Sequence, residues 1–322
     1  MNQGHVWLLS SGGRRGALLR ILQNIDDGGQ STVVVTDASQ LSAAGHLAEH
    51  FELVPRIAHP DFIPRLLDIC RTYQVNSVVP TIDTELEILA SHKGRFAALG
   101  VDVLVSDPAV VELSSDKWKF NSWLMANGFP AIRTFEREGF SPDLLGGPVV
   151  AKPRGGSSSI GVHRAVSAEH LDLAGLGPEY IIQEQIEGVE VTIDFAVSRT
   201  GEFLGAVPRK RIEVRGGEVS KGVTVRHPAL EEFVREFAAT LPGAYGVLNV
   251  QVFLNEETGD FRVLELNARV GGGYPLSDAA GADFFRRLIS GSEGPVDSWQ
   301  ENLLMLRFDD AVFVPDYQGE NL

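Results

Sequence analysis

The strongest chemical signal in the chain lies in two strand-like runs, Asn249-Val250-Gln251-Val252-Phe253-Leu254 and Phe261-Arg262-Val263-Leu264-Glu265-Leu266-Asn267, joined by the turn-forming stretch 255–260. Strand side chains alternate between faces, so residues two apart share one. A hairpin in which Leu254 faces Arg262 sets Gln251 opposite Glu265 and Asn249 opposite Asn267. Gln251, Glu265 and Asn267 then converge as three oxygen ligands, leaving room for water and phosphate, which suits Mg²⁺. Arg269 points to the same place if the strand continues. An ordinary solvated face would more often carry Lys, Thr and Glu. Amides with a single acid, in the most apolar strand pair of the second half, favour a metal site.

Other stretches leave two readings open. Val149-Val150-Ala151-Lys152 reads as a strand delivering a lysine into the loop Pro153-Arg154-Gly155-Gly156-Ser157-Ser158-Ser159-Ile160-Gly161. Small residues let backbone N–H groups approach phosphate oxygens, and a lysine adds a point charge. The same composition also makes plain hairpins, and the order is not that of a Walker P-loop. Ser11-Gly12-Gly13-Arg14-Arg15-Gly16, with Asp37 ending the next strand, partly matches a dinucleotide fingerprint but has serine where the first glycine belongs. Glycines that only permit a tight turn explain it as well. His46-Leu47-Ala48-Glu49-His50 fits the H-x-x-E-H zinc pattern, although a partly exposed helix face is the better account.

The elements around these residues fall into two textures. Val6–Leu9, Val33–Val35, Phe51–Val54, Ser77–Val79 and Val101–Val105 are short apolar runs, with helical stretches such as Phe62–Tyr73 and Glu85–Phe96 between them. That alternation predicts a doubly wound parallel sheet. A helix is expected from Ser114, with Asp116 near its start and Gly128-Phe129-Pro130 as its stop. Beyond it, strands at Val149–Lys152, Val162–Arg164, Tyr180–Glu184, Val191–Val197 and Phe203–Val207, the helix Pro228–Leu241 and the hairpin indicate a largely antiparallel α+β half. The expected domains are 1–113, 114–187 and 188–322.

Composition narrows the function classes. The 322 residues hold 28 Lys plus Arg against 43 Asp plus Glu, a net charge of −15, which argues against nucleic acid or acidic lipid as partner. No apolar run reaches the ~18–20 residues that span a bilayer, and no signal-peptide layout is seen. The single cysteine, Cys70, sits in an apolar helical stretch and reads as a small buried hydrophobe. A cytoplasmic enzyme is expected.

Taken together, these pieces resemble the ATP-grasp superfamily, in the branch similar to carbamoyl-phosphate synthase large chains and the pyrrolysine-pathway ligase. The landmarks, in order, are Val79-Pro80-Thr81-Ile82-Asp83-Thr84-Glu85-Leu86, Ser115-Asp116-Lys117, the lysine and loop at 152–161, Gln183-Glu184-Gln185-Ile186-Glu187-Gly188-Val189-Glu190, Asn249-Val250-Gln251 and Glu265-Leu266-Asn267-Ala268-Arg269. The resemblance implies an ATP-grasp fold, α/β and α+β, with a doubly wound N-terminal domain and two α+β lobes holding ATP. It implies a carboxylate–amine ligase that passes through an acyl-phosphate, uses ATP with Mg²⁺ or Mn²⁺, and takes small amino-acid-like carboxylate and amine substrates. Lys117 and Lys152 then look like the cations on the phosphates, with Gly155, Gly156, Ser157 and Ser158 in the phosphate loop. Glu184, Gln185 and Ile186 look like the adenine hinge and Glu190 the ribose acceptor. Gln251, Glu265 and Asn267 are the implied metal ligands, and Arg269 the arginine on the acyl-phosphate. Arg209-Lys210-Arg211, expected just after a strand, forms a second cationic cluster, with Lys210 counted as catalytic beside Arg269, and Arg209 and Arg211 as substrate-binding. A solvated basic turn is the alternative there. Relatives are often homodimers, though no surface is marked for it. One ATP-grasp unit alone speaks against carbamoyl phosphate synthesis. A nicotinamide-dependent oxidoreductase built on the glycine turn and Asp37, and a nucleotide-binding protein without catalysis, are the competing functions.

Overall fold

The structure, a computed structural model, describes residues 4–25, 29–156, 160–291, 294–315 and 317. It divides into two compact units. The first runs to Val105 and takes back Phe285–Ser290 and the described residues from Arg307 onwards; the second comprises Ser106–Phe284 and Gly291–Leu306.

The first unit contains β1 (Val6–Leu9), α1 (Gly16–Gln23), β2 (Thr32–Asp37), α2 (Ala43–Leu47), β3 (His50–Leu53), α3 (Phe62–Tyr73), β4 (Ser77–Val79), α4 (Leu86–Ala97) and β5 (Asp102–Val103). The strands form one parallel sheet in the order β3-β2-β1-β4-β5. All four residues of β1 are buried, as a strand covered on both faces requires. Helix faces such as Leu18, Leu19 and Leu22, and Phe62, Ile63, Leu66 and Leu67, close the core. Cys70 is buried there, and burial pushes its thiol up to about 12. The strand order reverses between β1 and β4. At that point fully buried Glu85 accepts from Ser10 Oγ (2.6 Å), Ser11 Oγ (2.9 Å), Thr81 N (2.7 Å) and Ile82 N (3.2 Å). Burial raises its pKa, and the four donors tie the loops after β1 and β4 together.

The second unit contains α5 (Pro108–Ser115), α6 (Lys117–Ala126), β6 (Thr134–Glu136), β7 (Val149–Pro153), β8 (His163–Ala165), β9 (Tyr180–Glu184), β10 (Val189–Val197), β11 (Phe203–Arg215), β12 (Glu218–Thr224), α7 (Pro228–Ala239), β13 (Gly246–Leu254), β14 (Phe261–Asn267), α8 (Tyr274–Ala279) and β15 (Leu304–Leu306). The helix expected from Ser114 begins instead at Lys117, and a separate helix, α5, precedes it. α5 ends at Ser115, and Asp116 caps α6 by accepting from Trp118 N (2.9 Å) and Lys119 N (3.1 Å). An aspartate there satisfies N–H groups that a first turn leaves open. A four-stranded sheet, β6-β9-β7-β8, and a six-stranded one, β14-β13-β10-β11-β12-β15, are both antiparallel. The chain passes from one to the other between Glu184 and Val189. The stretch after 290, which matches no motif, is strapped to the larger sheet. Val296 N donates to Leu204 O at 2.9 Å, β15 pairs with β12, and the Arg226 guanidinium lies 3.7 Å from the centre of the Trp299 ring.

Candidate active site

The larger sheet has one apolar and one polar face. Val191, Ile193, Phe195, Val250 and Val252 are fully buried on the side where α7 brings Phe233, Val234 and Phe237. Across the other face run two rows set by register: Arg209, Thr192, Gln251 and Glu265, then Asp194, Asn249 and Asn267. The expected pairs Gln251–Glu265 and Asn249–Asn267 are observed. At the turn end the register differs by one, with Leu254 opposite Phe261 and Phe253 opposite Arg262. A bulge between Gln251 and Val252 absorbs the extra residue, Leu264, and restores the pairing at the polar end.

The oxygens on this face are held in place by hydrogen bonds among the side chains. Asn267 Nδ2 donates to Asn249 Oδ1 (3.2 Å) and Glu265 Oε1 (3.3 Å), while Asn249 Nδ2 donates to Arg269 O (3.1 Å). Both donor hydrogens of Asn267 are therefore engaged, and its Oδ1 accepts none among the described residues. Among the described residues no group of three or more His, Cys, Asp or Glu side chains is arranged for a metal. The set here is one carboxylate with amide oxygens, a hard donor set that fits Mg²⁺ or Mn²⁺ better than a thiolate-seeking metal. The zinc pattern at 46–50 breaks up: α2 ends at Leu47, His50 opens β3, and His46 Nε2 bonds Gln40 O at 2.7 Å.

Positive charge approaches from several elements. Lys152, on β7, is 8% exposed. Burial pulls its pKa down to about 8; the nearby Glu265 charge opposes that shift and the Lys117 charge adds to it. Lys117 opens α6, its N–H donating to Arg154 O (2.9 Å) and its Nζ to Gly156 O (2.7 Å). Both lysines thus bracket the loop of exposed Gly155 and Gly156, the latter at φ +87°. Ser157 and Ser158 lie outside the described residues. Arg269 is half-buried beyond the end of β14, with Nη1 donating to Val270 O.

The basic cluster differs from expectation. β11 does not stop at Val207 but runs to Arg215, because Gly216 (φ +57°) and Gly217 (φ +80°) form a two-residue turn into β12. The three bases are therefore mid-strand and alternate in direction. Arg209 and Arg211 share the polar face, whereas Lys210 opposes Val191 on the other side and ion-pairs with Glu256. The structure does not bring Lys210 to the oxygen set. Arg209 is 3% exposed and forks onto fully buried Asp194 (Nε–Oδ2 2.7 Å, Nη2–Oδ1 3.3 Å), which also accepts from Ser277 Oγ (2.6 Å). Gly273 lies directly against it, where an added Cβ would fall 2.4 Å from Arg209 Nη1. Arg211 Nη1 ion-pairs with Glu190 and donates to Gln251 Oε1 (3.2 Å).

In the expected hinge, Glu184 N donates to Arg133 O (3.1 Å) and Gln185 N to Pro148 O (2.8 Å), and Glu184 Oε1 accepts from Arg133 N (3.0 Å). Ile186 N makes no such bond among the described residues. Sequence reasoning missed Asn249 as an orienting group, and Asp194 and Ser277 as the seat of Arg209. Asp194 had a signal: an acid within the apolar run Val189–Val197 needs a buried partner. In the first unit Asp37 Oδ2 accepts from Gly13 N (2.8 Å) and Oδ1 from Ser39 N (3.0 Å). The carboxylate that a nicotinamide ribose would need is bound into the turn.

Two family models match. Residues 7–104 fit a PylC-like N-terminal domain and residues 114–273 an ATP-grasp domain. A D-alanine–D-alanine ligase from Xylella fastidiosa is 26% identical over 56% of this chain and 66% of its own length. A 3-methyl-D-ornithine–L-lysine ligase from Methanosarcina barkeri is 24% identical over 74% of this chain and 60% of its own. The chain thus spans somewhat under two thirds of the length of these relatives. Among solved structures, a biotin carboxylase from Campylobacter jejuni in complex with an ATP analogue superposes with a TM-score of 0.72 over 92% of this chain and 74% of its own, at 14% identity. That likeness is one of fold.

Proposed function

We propose, for a chain that belongs to the ATP-grasp superfamily and carries a PylC-like N-terminal domain, an ATP-dependent carboxylate–amine ligase acting on amino-acid-like substrates. The observation that carries the reading is the oxygen set of Gln251, Glu265 and Asn267 beside Lys152. The two ligase relatives support it, each named for joining two amino acids.

In this reading a carboxylate oxygen attacks the γ-phosphorus of ATP, the bond to the ADP oxygen breaks, and an acyl-phosphate forms. An amine nitrogen then attacks the acyl carbon, loses a proton, and phosphate departs. The first step brings anion to anion, so positive charge is the main requirement. Lys117 and Lys152 would sit on the phosphates with the Gly155–Gly156 loop, and Arg269 on the transferring group. Gln251, Glu265 and Asn267 would hold Mg²⁺ or Mn²⁺, which neutralises phosphate charge when bound. The Ile186 N–H, which has no backbone acceptor among the described residues, suits an adenine ring nitrogen, beside Glu184 and Gln185, and Glu190 suits the ribose hydroxyls. Arg209, neutralised by Asp194, would shape the substrate side more than attract an anion, and Arg211 would serve the nucleotide side. The reading sets the enzyme in the cytoplasm. Among the described residues no helix is long and apolar enough to cross a membrane.

The test is phosphate release from Mg²⁺-ATP against pooled D- and L-amino acids and small carboxylic acids. Release that depends on one pool and disappears in Glu265→Gln supports the ligase. Substrate-independent release, unchanged in that variant, contradicts it.

A further inference from the structure

Arg211 stands between two groups that the reading above gives to different parts of the nucleotide. Its Nη1 pairs with the carboxylate of Glu190, the assigned ribose acceptor, and donates to Oε1 of Gln251, the assigned metal ligand. The side chain is 12% exposed, and its Nε is buried without a hydrogen-bond partner. One cation thus faces the side-chain oxygen with which Gln251 would bind a metal. The one carboxylate of the set, Glu265, lies near the Lys152 ammonium. A bare divalent ion meets repulsion at this face, because a guanidinium within a few ångströms opposes a doubly charged ion even in water-like surroundings.

We propose that Arg211 is a positioning residue that couples ribose recognition to metal binding. While it bridges Glu190 and Gln251 it screens the cation site. When ribose hydroxyls occupy Glu190, the bridge loosens and Gln251 Oε1 opens to the metal. Thermodynamic linkage makes the effect reciprocal, so metal also tightens ribose binding. The proposal rests on the assigned nucleotide site, and its test is built so that the two can fail separately.

The probe is Mn²⁺, titrated by electron paramagnetic resonance into nucleotide-free protein. The wild type is expected to bind it weakly. Arg211→Met is expected to bind at least about tenfold tighter, and Arg211→Met with Glu265→Gln to lose that gain. Adenosine, which brings ribose without phosphate ligands, is expected to raise Mn²⁺ affinity in the wild type and to leave Arg211→Met unchanged. Arg211→Gln replaces Arg211→Met if the latter lowers the melting temperature. Unchanged Mn²⁺ affinity on removing Arg211, or no adenosine effect in the wild type, overturns the coupling. Calorimetry with Mg²⁺-ADP reports on the site itself. If ADP binds the wild type and weakens in Lys152→Met, a flat Mn²⁺ result overturns only the coupling; if ADP does not bind at all, both readings fall.

Discussion

At the scale of single residues, the polar face works because its charges are either locked or kept apart. Arg209 and Asp194 are nearly inaccessible and satisfy one another. Asp194→Ala would leave a buried guanidinium without its counter-ion, and a loss of about 3–5 kcal/mol in stability by urea unfolding is expected. An unchanged midpoint would mean that the pair is not buried in solution. Lys152 makes the opposite case, a cation whose charge burial disfavours. Its pKa of about 8 leaves much of it neutral above that pH in the free protein. Polyphosphate beside it would raise the pKa again, so nucleotide binding should take up a proton between about pH 8 and 9 and weaken as pH rises through that range. Calorimetry in buffers of different ionisation enthalpy measures the uptake, and no proton linkage at pH 8.5 would remove Lys152 from the phosphates. The same shift acts on folding with the reverse sense. The unfolded chain holds that proton up to the ordinary lysine range, so this group favours the nucleotide-free fold increasingly as pH rises above 8.

At the scale of elements, site geometry comes from strand register. The β13–β14 bulge keeps Gln251 opposite Glu265 although the turn end pairs one residue differently. The alternation of apolar and polar residues made that pairing readable, since a one-residue slip at the polar end would turn the apolar side chains outward. The bulge itself was not readable, because nothing in the residue types around Leu264 distinguishes a regular ladder from a bulged one. The long β11 was missed for a different reason: Gly216-Gly217 is a strong two-residue hairpin signal, but the basic residues before it resemble a solvated turn. That resemblance places Lys210 with neighbours that in the strand face the other way. The parallel sheet of the first unit was legible from the buried apolar runs of β1, β2 and β4, apart from strand ends at Leu53 and Val103 that terminate earlier than their apolar runs. Gly273 carries an element-level prediction. Its φ is ordinary, so Gly273→Ala tests packing alone: the new Cβ would strike a guanidinium that Asp194 prevents from moving. A loss of about 1–3 kcal/mol is expected, measured by denaturant unfolding, whereas Gly259→Ala, with open space around it at φ +78°, should show only the cost of its backbone conformation.

At the scale of the whole molecule, the sheet of six strands supplies Gln251, Glu265 and Asn267, the sheet of four supplies Lys152, and the start of α6 supplies Lys117. A surplus of acid over the chain as a whole makes this local gathering of cations more specific, because it favours an anion here and repels it elsewhere. A ligand that binds only the folded form raises stability by about 2.7 kcal/mol at a hundredfold excess over its Kd. Mg²⁺-ATP should therefore raise the melting temperature of the wild type, and by clearly less in Lys152→Met. Equal shifts would place the nucleotide elsewhere. The central claim is that a substrate carboxylate takes the γ-phosphate of ATP, and the most direct test follows one oxygen atom. With the carboxylate identified from the pools and labelled with ¹⁸O, turnover with Mg²⁺-ATP and the amine is expected to deliver one labelled oxygen from the carboxylate to each phosphate released. Phosphate free of label, formed alongside the amide, would contradict an acyl-phosphate and with it the mechanism assigned to this site.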